Sequence, residues 1–137
     1  MVQKIITLRD VGASDFRFLY NMLKERDSNV NISHKKMPNY TDHLKFVNSK
    51  PYSKWCIIKF GNSKVGSIYL SKNNEIGLFL KKEFYGKDIG CQSLILFMNV
   101  NPKKRYLANV NPKNKRSLEF FKKNGFKLIQ HTLELEN

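Results

Sequence analysis

The stretch Glu75-Ile-Gly-Leu-Phe-Leu-Lys-Lys-Glu-Phe-Tyr-Gly-Lys-Asp-Ile-Gly-Cys-Gln-Ser-Leu-Ile-Leu-Phe-Met98 reads strand, turn, helix. Glu75 to Leu80 is a short apolar run with strand character. Gly86 to Gly90 is a glycine-bearing turn, and Cys91 to Val100 carries a dense apolar helical pattern. A glycine turn that opens directly into a helix is a ready anion site. Glycine lets the backbone come close to a ligand, and the first N–H groups of a helix have no internal partners. Glycines between a strand and a helix are also ordinary turn residues, so the flanking sequence decides between the two readings.

Upstream, Lys54 to Phe60 and Lys64 to Leu70 read as strands joined by the hairpin signal Gly61-Asn62. With Glu75–Leu80 they predict three consecutive antiparallel neighbours. Lys4 to Leu8 predicts a first strand. Ser14 is placed to cap a helix from Asp15 to about Arg26, with Phe16, Leu19, Tyr20 and Leu23 on one face. Asp27 to Asn39 has no period, and a connection of that length is often functional. Thr41 starts a second helix, which Pro51 ends.

Downstream, Asn101-Pro102 stops the helix after Gly90, which is expected to be buried on most of its circumference. Arg105 to Val110 predicts a strand. Asn111-Pro112 reads as cap and first residue of a last helix, closed by Gly125, and Phe126 to Leu135 predicts a final strand. The order is β-α-α-β-β-β-α-β-α-β, an α+β architecture. The crossover from Glu75 to Val110 makes one parallel pair in a mixed, mostly antiparallel sheet with helices on both faces.

Composition limits the function. The chain has 137 residues, 41% hydrophobic, which suits one domain with a real core. No apolar run reaches the roughly 18 residues of a membrane span. The opening residues lack a secretory pattern, which points to the cytoplasm. Cys56 and Cys91 form no CxxC, and His34, His43 and His131 are scattered, so no metal is expected. The net charge of +14 fits an anionic partner: nucleic acid, a phosphorylated metabolite or an acidic cofactor. The excess is spread along the chain as a solvated surface would be, and is densest after residue 90.

Two pieces then resemble one family. Tyr85-Gly-Lys-Asp-Ile-Gly90 resembles the acyl-CoA pyrophosphate loop of the GNAT N-acetyltransferases. Asn111 to Phe126, with Asn114, Ser117, the pair Phe120-Phe121 and the closing Gly125-Phe126, is similar to the family's second signature. The resemblance spans nearly the whole chain and implies a single acyl-CoA N-acyltransferase domain over residues 1–137. It implies acetyl transfer from acetyl-CoA to a primary amine, with no metal. It also implies that backbone near Leu78 and Leu80 holds the pantetheine arm and faces the thioester oxygen. Loop amides from Gly86 through Lys87, Asp88, Ile89 and Gly90 to Cys91 would hold the pyrophosphate. Asn114 and Ser117 would reach the arm, and Phe121 would lie near the sulfur.

The sequence departs from the family at three places. Tyr85 replaces the usual Gln or Arg. Asp88 replaces a glycine, in a turn it tolerates with its carboxylate turned outward and Lys87 beside it. Phe121 replaces a tyrosine that serves as the acid for the leaving thiolate. A thiolate leaves reasonably well unaided. Otherwise another hydroxyl, that of Tyr85 or of a tyrosine elsewhere, has to substitute. Glu75 is the candidate base for the amine, acting through water.

For the acceptor, Arg26, Tyr40 and His43, with Pro51-Tyr-Ser-Lys-Trp55, resemble the branch that acetylates nucleotide-linked amino sugars. Alternatives are a protein N-terminus, as on ribosomal proteins, or a small amine. A polyamine is disfavoured by the positive charge. A further alternative is a non-catalytic basic domain that binds nucleic acid or regulates. The expected partner is a small amine, the expected assembly a monomer or homodimer, and no membrane is involved.

Overall fold

The computed structural model describes residues 4–26 and 37–137. Four strands, β1 (Ile6–Asp10), β2 (Lys54–Phe60), β3 (Ser63–Leu70) and β4 (Ile76–Leu80), form an antiparallel sheet in chain order. Ile58 faces Gly66 and Tyr69 faces Gly77, and a register shift follows Ile58. The β2–β3 hairpin turns at Gly61, at φ +62°. The helices are α1 (Phe16–Glu25), α2 (Tyr40–Asn48), α3 (Ile89–Val100) and α4 (Lys115–Lys123).

Because strand side chains alternate between faces, the sheet carries a core on each side. On one face Cys56, Ile58, Ile68, Leu70 and Ile76 pack with Ile89, Leu94 and Phe97 of α3 and Phe121 of α4. On the other, Ile57 packs with Leu19 of α1 and Val47 of α2. Each such side chain contributes about 1.5–3 kcal/mol when fully buried. Burial pushes the Cys56 thiol up to about 11, so it packs as an inert apolar group.

The α+β class, the helices on both faces and the three antiparallel neighbours stand as the sequence predicts. Several elements differ. Arg105–Val110 forms no strand. Its parallel contact is one bridge, Glu75 to Leu107, made by Ile76 N–H donating to the Leu107 carbonyl at 2.7 Å and Leu107 N–H donating to the Asn74 carbonyl at 2.9 Å. Phe126–Leu135 forms no strand either. Its apolar residues do not keep one period-2 face, and Leu128, Ile129, Leu133 and Leu135 are all exposed. Helix α3 buries one face, leaving Ile95 and Val100 exposed. The last helix starts at Lys115 with Asn114 as its cap, its Oδ1 accepting from Ser117 N–H at 3.2 Å. Asn111 and Pro112 form the turn before it, in which Asn111 Oδ1 accepts from Lys113 N–H. Most of the unpatterned stretch, residues 27–36, lies outside the described residues.

Ser14 does not cap α1. A 3-10 turn, Ala13–Asp15, precedes the helix, and its capping residue is Gly12. Asp15 is instead a buried ion-pair centre. Arg9 donates to both of its oxygens, at 2.8 and 2.9 Å, Gly12 N–H donates at 2.9 Å, and Lys64 lies at 2.7 Å. Burial by itself raises a carboxyl, but the hydrogen bonds from Arg9 and Lys64 outweigh it and hold Asp15 well below the usual carboxylate range. A depressed carboxylate stabilises the fold above the unfolded-state value of about 3.9, and that contribution fades as pH falls toward the folded value. Asp15→Asn should therefore cost about 2 kcal/mol at pH 7, less than a fully buried pair because Arg9 and Lys64 are partly solvated. Urea melts at pH 7 and pH 3 check this, with the difference between variant and wild type shrinking at the lower pH.

Candidate active site

Between Tyr85 and Gly90 the backbone makes a double left-handed turn, with Gly86 at φ +76° and Asp88 at φ +62°. Glycine adopts that region freely and aspartate better than most residues, so the loop closes despite Asp88. Asp88 is also the N-cap of α3, although its side chain makes no cap hydrogen bond, and it is exposed. The first N–H groups of α3 therefore open onto the loop. Gly90 sits where α4 crosses. A Cβ there would stand 3.0 Å from the Phe120 ring, so the glycine lets the two helices meet behind the loop.

A cavity of about 750 Å³ runs from this loop along β4 to the end of α1. Its walls include Tyr85, Gly86, Asp88, Ile89, Gly90 and Cys91 from the loop and α3. Leu78 and Leu80 come from β4, Asn114, Ser117 and Phe121 from the α4 region, and Arg26 closes the far end. Eleven of the twelve residues assigned to acyl-CoA therefore meet on one cavity. Lys87 is the exception, with its ammonium over the Phe84 ring. The Arg116 guanidinium lies 4.1 Å from the Tyr85 ring centroid at the same mouth.

The edge of β4 explains why the cavity is there. Ile76 points its amide at Leu107. Backbone groups alternate along a strand, so those of Leu78 and Leu80 face the same side. Past Ile76 the chain at 108–111 has turned away, and a narrow cleft of about 30 Å³ opens between β4 and Asn109–Asn111. Unpaired strand-edge groups are ready to bond an extended, amide-bearing chain. Leu78, Phe79, Asn114, Ser117 and Phe121 line both cleft and cavity, so the two adjoin.

Glu75 stands at the head of the cleft but lines neither space. Ser71 Oγ–H donates to its Oε1 at 3.1 Å, and Asn109 Nδ2–H donates to its Oε2. Its carboxylate thus ties the turn before β4 to the segment after the bridge. Tyr40 and His43 also lie off the cavity. They pack against Tyr20, with ring centroids 5.1 and 5.2 Å away, and Arg17 covers Tyr40. Burial first, then Arg26, pushes the His43 imidazole down.

Two ring contacts emerge only from the structure. The Arg26 guanidinium lies over the Phe79 ring, 3.6 Å from its centroid, and its buried Nε has no hydrogen-bond partner. Tyr69 and Tyr52 stack with centroids 3.8 Å apart and planes within 5°, and Tyr69 lines the cleft. Strand alternation was the available signal, since it puts Tyr69, Gly77 and Phe79 on one face. Among the described residues no group of side chains could hold a metal, and no helix is long and apolar enough to cross a membrane.

No protein-family model and no curated protein sequence matches the chain. Solved structures do. A domain from Methanocaldococcus jannaschii is similar at a TM-score of 0.83 and 24% identity, over 96% of this chain and 94% of that one. The spermidine N-acetyltransferase of Vibrio cholerae, solved with CoA and spermine, matches at 0.77 and 17%, over 95% and 85%. The ribosomal L7/L12 α-N-protein acetyltransferase RimL, solved with coenzyme A, matches at 0.71 and 18%, over 91% and 81%. With its four-stranded sheet, its opening beside β4 and its loop at the start of α3, the chain has the GNAT N-acetyltransferase fold.

Proposed function

We propose that the chain is an acetyl-CoA-dependent N-acetyltransferase whose acceptor is a primary amine on an anionic small molecule, a nucleotide-linked amino sugar being the acceptor we put first. The observation that carries the reading is the continuity of one cavity from the Tyr85–Gly90 loop, along the open edge of β4, to Arg26. Each length of that path suits one part of the donor. The loop amides and the α3 N-terminus suit the pyrophosphate. The edge groups of Leu78 and Leu80 suit the two amides of the pantetheine arm, and an N–H there can face the thioester oxygen as charge develops on it. Asn114 and Ser117 line the same path.

Arg26 supports the anionic acceptor. No carboxylate pairs with it among the described residues, and a half-buried cation without a counter-charge is costly. A phosphate or carboxylate on the acceptor would supply that charge. The chain's +14 charge points the same way and disfavours a polyamine. We assign Glu75 to holding the β4–Leu107 junction rather than to taking the amine's proton. Both of its oxygens already accept hydrogen bonds, and the acceptor then reacts from its free-amine fraction.

A screen for free CoA release, with a UDP-linked amino sugar, a peptide with a free N-terminus and spermine, tests the function. The expected order of rates is sugar first and spermine last. Binding of acetyl-CoA without turnover of any amine would refute the reading. Arg26→Gln should raise KM for the sugar about 10- to 100-fold, the value of a charged hydrogen bond, and leave KM for the peptide within about twofold. Glu75→Gln should lower the unfolding free energy obtained from urea melts by about 1 kcal/mol while kcat stays within a few-fold. A large loss of kcat at full stability would make Glu75 the base instead.

A further inference from the structure

Phe121 leaves the cleft without the hydroxyl that acid assistance to a leaving thiolate would need. The opposite wall of the same cleft carries one. Tyr69 and Phe121 both line the space between β4 and Asn109–Asn111. Phe121 belongs to the core under α3 and α4. Tyr69 lies on the other face of the sheet, so the two aromatic rings flank the cleft from opposite sides of the sheet plane.

The placement of Tyr69 is built rather than incidental. It pairs with Gly77 across the β3–β4 ladder. A Cβ at Gly77 would stand 2.1 Å from Tyr69 Cζ and 2.4 Å from its hydroxyl oxygen. Glycine there lets the phenol fold over the β4 backbone at the cleft, one residue from the edge groups of Leu78. Tyr52, just before β2, stacks on the ring and fixes its plane. Phe79 flanks it, with centroids 6.3 Å apart.

Resting on the acetyltransferase reading, we propose that Tyr69 is the general acid that protonates the departing CoA thiolate. The acceptor nitrogen forms its bond to the thioester carbon, and the carbon–sulfur bond breaks. The sulfur takes the Tyr69 hydroxyl proton, and the proton shed by the new amide nitrogen restores the hydroxyl. No outside oxidant, reductant or metal takes part.

The charged and titratable groups facing Tyr69 agree with this role. Burial raises its hydroxyl above the usual tyrosine value, opposed by the Tyr52 hydroxyl and by Arg26 and reinforced by Glu75. Tyr69 therefore stays protonated at neutral pH, the form an acid needs.

Steady-state kinetics test the proposal, with acetyl-CoA and whichever of the three amines above turns over fastest. Tyr69→Phe keeps the ring and its stacking, and an unchanged thermal shift with CoA verifies that the variant folds and binds. Its kcat should fall about 10- to 100-fold with KM for both substrates within about twofold, the low end of acid catalysis because a thiolate leaves with modest help. Adding Phe121→Tyr puts a hydroxyl on the opposite wall and should recover most of the rate. A kcat within twofold of wild type, a loss confined to KM, or a double variant as slow as Tyr69→Phe each overturns the assignment. Absence of turnover by the wild type with every amine overturns the acetyltransferase reading, and this proposal with it.

Discussion

The sheet joins its last neighbour at one place. Leu107 makes two backbone hydrogen bonds to the Asn74–Ile76 segment, accepting from Ile76 N–H and donating to the Asn74 carbonyl, and Glu75 buttresses the junction through Ser71 and Asn109. Beyond it the two segments part. A full parallel ladder would have paired the edges of Leu78 and Leu80 and left nothing for a ligand. A junction any weaker would have let the segment after α3 drift from the sheet. The cleft exists because pairing begins and then stops.

Everything else at the site follows from where that parting occurs. Helix α3 bridges β4 and the junction, so its N-terminus and the loop before it sit at the open end of β4. Helix α4 packs over the cleft through Phe121, and Gly90 allows α4 to lie close to the loop. On the reverse face Gly77 makes room for Tyr69. The cleft therefore passes through the plane of the sheet. In the acetyltransferase reading, the donor approaches along the α3–α4 side, and Arg26 with the stacked tyrosines stands on the acceptor side.

The positive charge acquires a location from the same geometry. Most lysines are scattered over the surface. Arg26 and Arg116 differ, because each is laid on an aromatic ring at an end of the cavity. A cation held on a ring keeps a fixed direction, and a fixed cation is what recognises a particular anion instead of attracting anions in general.

The sequence by itself determined the local elements and the loop. Short apolar runs in β2, β3 and β4 and helical spacing in α1 and α3 depend on near neighbours, and so do the left-handed turn at Gly86–Asp88 and the stop at Gly125. The two motif segments were legible because each is short and contiguous, and of the acyl-CoA residues singled out in them all except Lys87 line the one cavity. Tertiary structure decided the remainder. Whether Arg105–Val110 pairs along its length depends on a partner distant in the chain, and only Leu107 bridges where the local pattern predicts a strand. Asp15, in the sequence a helix-start residue, became an ion-pair centre once β1 and β3 brought Arg9 and Lys64 to it. Glu75 looked free until Ser71 and Asn109 closed on it. Tyr69 was one aromatic in a strand until the missing Cβ of Gly77 and the stacking of Tyr52 set it against the cleft. These are contacts between residues far apart in the chain, and no local pattern encodes the distance between them.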